Sequence, residues 1–247
     1  MDSAIITGRN SVIEALKAGR SVTRIYITAG KDSQPLLRIR SMAREKGVPV
    51  EPVSADVMRR HARGTHHQDV VAFAAAVAFA DLDEVLSEVQ AKGDVPFLIL
   101  LDGIEDVHNL GAVIRTAECA GAHAVLVPKR RSAPVNETVG KTSAGAVEYM
   151  PVVRIGNTAS FLKKLKKQGF WVIGADMDGE TDYFHSSLTG PLVLVIGSEG
   201  KGISRLVREH CDRLVRIPMF GRVNSLNASV AAALLLYEAV RQRREQA

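Results

Sequence analysis

Three segments of this 247-residue chain hold polar side chains at spacings that suit chemistry. The last, IPMFGRVNSLNAS at residues 217–229, runs straight into the apolar stretch VAAALLLYEAV. One Ser or Asn is enough to cap a helix start, yet Asn224, Ser225, Asn227 and Ser229 crowd this one. A helix start also favours anions, so the surplus hydroxyls and amides are candidates for gripping a phosphate or a ribose. The plain alternative is an over-provisioned cap. The first segment, DGIEDVHNLGAVIRTAECAG at residues 102–121, places Asn109 at a helix start and Arg115 further in, interrupting the apolar row of Val113, Ile114 and Ala117. Asn109 reads equally as a simple cap. Arg115 carries a phosphate-matched fork. The middle segment, GSEGKG at residues 197–202, follows the apolar run LVLVI. Its G-x-x-G-x-G spacing is neither the dinucleotide fingerprint nor a P-loop, since Gly202 stands where Ser or Thr should follow Lys201. Glu199 sets a carboxylate among those glycines.

The elements around these segments must aim them. Residues 11–17 and 35–46 keep helical apolar spacing, while 24–28, 48–53 and 70–78 read as strands, which makes a small α/β module. Residues 81–94 carry five acids and one lysine with Leu82, Val85, Leu86 and Val89 at helical spacing, a short linking helix. From Pro96 onward strands at 97–102, 124–127, 171–175, 192–196 and 214–217 alternate with helices at 110–120, 136–143, 158–168, 203–209 and 225–244. Such alternation predicts a parallel sheet covered by helices, and ligands in such sheets bind outside the carboxyl ends of the strands. The expected division is 1–77, a linker at 78–95, and 96–247.

Taken together, N-x-G-x-x-x-R-T-A-E, L-V-I-G-x-E-G-x-G and I-P-M-x-G-x-V-x-S-L-N-A-S-V-A closely resemble, in order and spacing, the three motifs of the SpoU/TrmH family of RNA ribose 2′-O-methyltransferases in the SPOUT superfamily. The intervening loop VPKRRSAPVNETVGKTSAGAVEYMPVVRI is similar to the family's as well. GRNSVIEAL and HHQDVVAFA resemble the ribosomal-protein-like RNA-binding domain that precedes many members, so the likeness covers nearly the whole chain. The nearest subgroup methylates a guanosine ribose in 23S ribosomal RNA. What the resemblance implies is a C-terminal α/β domain with a trefoil knot, a homodimer with composite sites, and S-adenosylmethionine bent into the knot and held largely by backbone groups. Carried over by motif, Gly197, Ile217 and Leu226 would hold that cofactor, and Asn109, Arg115, Glu199, Ser225 and Asn227 match the polar active-site positions. One departure is Asp69, where many relatives have Gly.

Methyl transfer to a ribose hydroxyl needs orientation and deprotonation of a very weak acid, hence a general base. Arg115 matches the family's proposed base, although a guanidinium normally stays protonated. Two roles are open: a cation that positions substrate phosphate, and a base. Glu199 is read as an acceptor for the target base or as a partner of Arg115, and Ser225 and Asn227 as orienting ribose or phosphate. His66 and His67 have no Cys/His cluster around them, so no metal is expected.

Charge agrees with an RNA partner. Residues 1–72 hold 12 Lys and Arg against 7 Asp and Glu, and the remainder holds 20 of each, so the whole excess of +5 sits in the first third. Lys163, Lys164, Lys166 and Lys167 read as a solvated helix face. Cys119 and Cys211 read as buried free thiols, which favours a reducing compartment. No leader pattern and no run of about 20 apolar residues appears, so a cytoplasmic protein that does not enter membranes is expected. Three rival readings stand beside this one: transfer RNA as substrate, a non-catalytic RNA-binding assembly factor, and a nucleotide enzyme of ordinary doubly wound fold. The last lacks its early glycine fingerprint, and a degenerate enzyme has no chemical reason to keep five polar site residues.

Overall fold

A computed structural model describes residues 3–62 and 66–246. The chain begins β1 (Ser3–Thr7), α1 (Arg9–Lys17), β2 (Val22–Thr28), α2 (Gln34–Glu45), β3 (Val50–Val53), α3 (Ala55–His61) and β4 (Val70–Ala75). It continues α4 (Leu82–Lys92), β5 (Phe97–Asp102), α5 (Val107–Cys119), β6 (Ala124–Pro128), α6 (Glu137–Thr142), β7 (Val152–Ile155) and α7 (Thr158–Lys167). It closes with β8 (Trp171–Ala175), β9 (Thr181–Asp182), β10 (Leu192–Gly197), α8 (Arg205–Arg208), β11 (Arg213–Arg216) and α9 (Ala228–Gln246). Two compact units result: Met1–Ala78 with Val135–Tyr149, and Phe79–Pro134 with Met150–Ala247.

In the first unit the sheet runs β1-β4-β2-β3, with β2 and β3 parallel and the other pairs antiparallel. Side chains alternate across a strand, so Ile25 and Ile27 join the core with Val12, Leu16, Leu36 and Ile39 of α1 and α2. Tyr26 faces the other way, onto Phe73 and Met58 of α3. A tight turn precedes β4, where Gln68 and Asp69 have φ of 51° and 67°. Asp69 therefore occupies the left-handed region that glycine enters freely and Asp tolerates better than most. Its carboxylate pairs with Arg9 at 3.2 Å, and its amide donates to His67 Nδ1 at 3.0 Å. His67 thus has a structural partner, while His66 is exposed.

Residues 135–149 leave the second unit's sequence to fold with the first, which differs from the expected division. The Ser11 hydroxyl donates to the Gly140 carbonyl at 3.3 Å, and the Tyr149 hydroxyl to Glu14 at 2.7 Å. Arg20 and Glu148 form a nearly buried ion pair at 2.5 Å. Burial pushes the Glu148 carboxyl above its ordinary value, against the pull of Arg20.

The second unit is a seven-stranded, wholly parallel sheet in the order β7-β6-β5-β10-β8-β11-β9. Leu98 and Leu100 of β5 and Val193 and Val195 of β10 are fully buried in one core cluster with Leu82, Leu162 and Leu165. Burying each such side chain stabilises the fold by about 1.5–3 kcal/mol. The alternate residues Ile99 and Leu194 are equally buried, and α9 packs on β10 and on α5. Of the expected linker at 78–95, residues 79–95 belong to this unit: the Ala80 amide donates to Val152, and Val85 and Leu86 pack on its core. Lys164 pairs with Asp83 and Lys166 with Asp212, so half of the α7 lysine cluster is engaged within the fold. Among the described residues no helix is long and apolar enough to cross a membrane, and no His/Cys/Asp/Glu group suits a metal ion.

The cysteines depart from expectation. Cys119 is exposed at the end of α5 and Cys211 is half-buried, because the C-terminal turn of α5 faces outward while Cys211 follows α8 against the sheet. Burial, with Asp212 adjacent, pushes the Cys211 thiol up to about 12. Partial burial and the neighbouring Glu118 also raise the thiol of the exposed Cys119, so thiol titration of the folded protein at mildly alkaline pH should show one reacting cysteine, removed by Cys119→Ser, with Cys211 reacting only on unfolding. Equal reaction of both in the folded state would contradict this packing.

Candidate active site

The parallel register sets the site. Gly197, the last residue of β10, stands opposite Asp102, the last residue of β5, so the loops leaving both strands emerge side by side. The loop after β10 closes on itself: the Ser198 amide donates to Gly202 O at 3.1 Å and the Gly202 amide returns to Ser198 O at 2.9 Å. Glu199 lies at its tip. The loop after β5 leads into α5, which Asp106 caps by accepting from the His108 amide at 2.6 Å. Asn109 is therefore not the cap. It lies inside the first turn of α5 with only 9% exposure, free to point its amide elsewhere.

That amide meets Glu199. Asn109 Nδ2 donates to Glu199 Oε1 at 3.0 Å, and Asn227 Nδ2 donates to the same oxygen at 2.6 Å. The Ala228 amide at the start of α9 adds a third bond at 3.3 Å. Asn227 Nδ2 also donates to Asn109 Oδ1 at 2.9 Å, closing a triangle of side chains from three distant segments. The other end of Asn227 caps α9, its Oδ1 accepting from the Ser229 amide at 2.9 Å and the Val230 amide at 3.3 Å. Asn227 is thus the cap that the sequence offered as the plain alternative, and its nitrogen also reaches the Glu199 carboxylate, a partner the sequence did not indicate. Asn224 and Ser225 are left exposed and take no part in the cap.

The remaining expected residues are placed less tightly. Arg115 is exposed on α5, and among the described residues it pairs with neither Glu199 nor any other carboxylate. The Glu199–Arg115 partnership offered by the sequence is not formed; Glu199 Oε1 instead accepts from Asn109, Asn227 and the Ala228 amide. Ile217 is half-buried and Leu226 is 36% exposed. Among the described residues, none of 218–226 gives or takes a backbone–backbone hydrogen bond, so this segment presents free amides and carbonyls beside the apolar Ile217, Met219 and Leu226. Gly197 has a reason of its own to be glycine. A Cβ there would lie 2.1 Å from the Gly202 carbonyl carbon and 2.3 Å from the Ile203 nitrogen.

Sequence reasoning missed Asp102. It is a buried carboxylate, 6% exposed, whose Oδ2 accepts from the Ser204 amide at 2.7 Å. The signal was present as the one acid ending the apolar run FLILLD.

Two family models match the chain: the SpoU rRNA Methylase family over residues 96–237, and the RNA 2′-O ribose methyltransferase substrate-binding family over residues 5–80. The chain belongs to the SpoU rRNA methylase family. It is an RNA methyltransferase by that membership. A Bacillus subtilis relative named as a TrmH family tRNA/rRNA methyltransferase, YacO, is 42% identical over 238 residues, covering 96% of this chain and 95% of its own. Among solved structures, the SpoU methyltransferase AviRb from Streptomyces viridochromogenes, in complex with AdoMet, matches with a TM-score of 0.80 and 27% identity, over 99% of this chain and 92% of its own. An AdoMet-bound rRNA methyltransferase from Sinorhizobium meliloti matches with a TM-score of 0.78 and 25% identity, over 97% and 87%.

The crossing at Gly197 generates a prediction. Gly197→Ala must displace backbone, which should cost ~3 kcal/mol of stability, whereas Gly221→Ala, with open space around its Cβ position, should stay within about 0.5 kcal/mol of the parent. Chemical unfolding of both variants checks this; equal stabilities would refute the close approach.

Proposed function

We propose that this SpoU-family chain methylates a ribose 2′-hydroxyl of ribosomal RNA, most specifically a guanosine of 23S RNA, with S-adenosylmethionine as donor. The observation that carries the reading is the Asn109–Glu199–Asn227 triangle, which gathers all three family motifs at the carboxyl ends of β5 and β10. The residues suit the cofactor: residues 217–226 offer unclaimed backbone donors and acceptors with apolar side chains, next to Gly197. Bound there, S-adenosylmethionine would supply an activated sulfonium methyl. The strand order, with β10 between β5 and β8 and β11 beyond β8, is compatible with the family's trefoil knot.

The chain's own residues then have distinct tasks. Arg115, an exposed guanidinium not claimed by a carboxylate, grips RNA phosphate and stabilises the negative charge that develops on the ribose oxygen. Its second role, as base, would require strong perturbation on substrate binding. Glu199 fixes Asn109 and Asn227 through Oε1 and keeps Oε2 for a donor on the target nucleotide. Ser225, exposed beside them, orients ribose or phosphate. Gly197, Ile217 and Leu226 line the cofactor. The excess positive charge of residues 1–72 makes the first unit the RNA-gripping part. The likeness to an rRNA methyltransferase over 97% of this chain, first unit included, favours ribosomal over transfer RNA. On α9, Val230, Leu234 and Tyr237 form an exposed apolar stripe at helical spacing, suited to a second copy of the chain in a homodimer.

Methyl transfer from radiolabelled S-adenosylmethionine to protein-free 23S RNA and to bulk transfer RNA tests the proposal. Label at a ribose 2′-oxygen of 23S RNA is expected, falling about 100-fold in Arg115→Ala. Label in transfer RNA alone would reassign the substrate, and full turnover by the variant would remove Arg115 from the chemistry.

A further inference from the structure

Asp102 is a carboxylate buried at the end of an inner strand of a parallel sheet, and among the described residues no Lys or Arg pairs with it. Burying a charge in this way is costly unless it is hydrogen-bonded to some purpose. Its partner is a single backbone amide, Ser204 N at 2.7 Å. Ser204 stands immediately beyond the loop that carries Glu199, before α8, and its own side chain makes no cap bond. The base of that loop is closed by the paired bonds between Ser198 and Gly202, and the backbone at Gly202 and Ile203 lies across Gly197. Gly197 is itself the residue in register with Asp102. The loop is thus anchored on its incoming side by the β-ladder and on its outgoing side by the Asp102 carboxylate.

We propose that Asp102 is a positioning residue: by holding the Ser204 amide it locks the loop at 198–202 in the closed form that delivers Glu199 to Asn109 and Asn227. This rests on the reading of Glu199 as a member of the site. The role needs an acceptor at this place rather than a negative charge, so Asn should serve where Ala does not. It acts on Glu199 and not on the cofactor's strand-end contacts, because Gly197 stays held by the ladder with β5.

The test has two readouts. Amide hydrogen exchange in the free protein should quicken at least tenfold at Ser198 and Gly202 in Asp102→Ala, while the amides of Leu194 and Val195 keep their protection. With 23S RNA and saturating S-adenosylmethionine, kcat should fall at least tenfold, with the cofactor Kd by calorimetry within twofold of wild type. Asp102→Asn should recover both readouts to within threefold. Ser204→Pro, which the φ of −63° at this position admits, removes the donor and should reproduce the Ala phenotype in a chain that keeps its buried acid. Adding it to Asp102→Ala should cost nothing more. Unchanged loop exchange in Asp102→Ala and Ser204→Pro overturns the proposal, as does an Asn variant as impaired as Ala. Glu199→Ala separates the two claims. Wild-type turnover in that variant sinks the reading of the site itself, whereas loss of turnover there with full turnover in Asp102→Ala sinks the positioning role alone.

Discussion

One carboxylate oxygen, Glu199 Oε1, accepts from Asn109, Asn227 and the Ala228 amide. Those donors come from the start of α5 and the start of α9, and the acceptor from a loop after β10. No local propensity could bring them together. The parallel pairing of β5 with β10 does it, because strands that run the same way release their loops at the same edge. The packing of α9 on α5 and on β10 then sets the third segment beside the other two. A carboxylate accepting several N–H donors is an effective knot for such segments, since each bond is charge-assisted.

The division of labour follows from composition as much as from geometry. Positive charge is concentrated in the first 72 residues, while the remainder balances, so RNA affinity and methyl transfer can be carried by different parts of one chain. The small unit is built conventionally, with α1 and α2 on one face of its sheet and α3 on the other. Its least conventional feature is that it takes in residues 135–149, sequestering Glu148 against Arg20.

The sequence was most readable where periodicity was strong. The five strands expected after Pro96 and the helices from α4 onward fall close to where apolar spacing put them, and the polar clusters at 109, 199 and 225–227 stood out by composition. The short elements β1, α3, β7 and β9 were not legible in the sequence. Nor was the grouping of 135–149 with the first unit, which depends on contacts such as Ser11 with Gly140 across 129 positions. Within the site the residue types were legible and their partners were not. Asn109 read as a site residue or a cap, and the cap proved to be Asp106, which stood among other loop acids. Asp102 was passed over as a strand end. Gly197 was read for a ligand, whereas its nearest constraint is the chain's own backbone.

The most direct test of the Glu199 knot is solution NMR of the side-chain amides of Asn109 and Asn227, in the wild-type protein and in Glu199→Ala. If one carboxylate oxygen holds both, the variant should shift both amide pairs together and release the Ala228 amide to faster exchange. If the two amide pairs and the Ala228 amide are indifferent to the loss of Glu199, the three segments are held by something else, and the central claim fails.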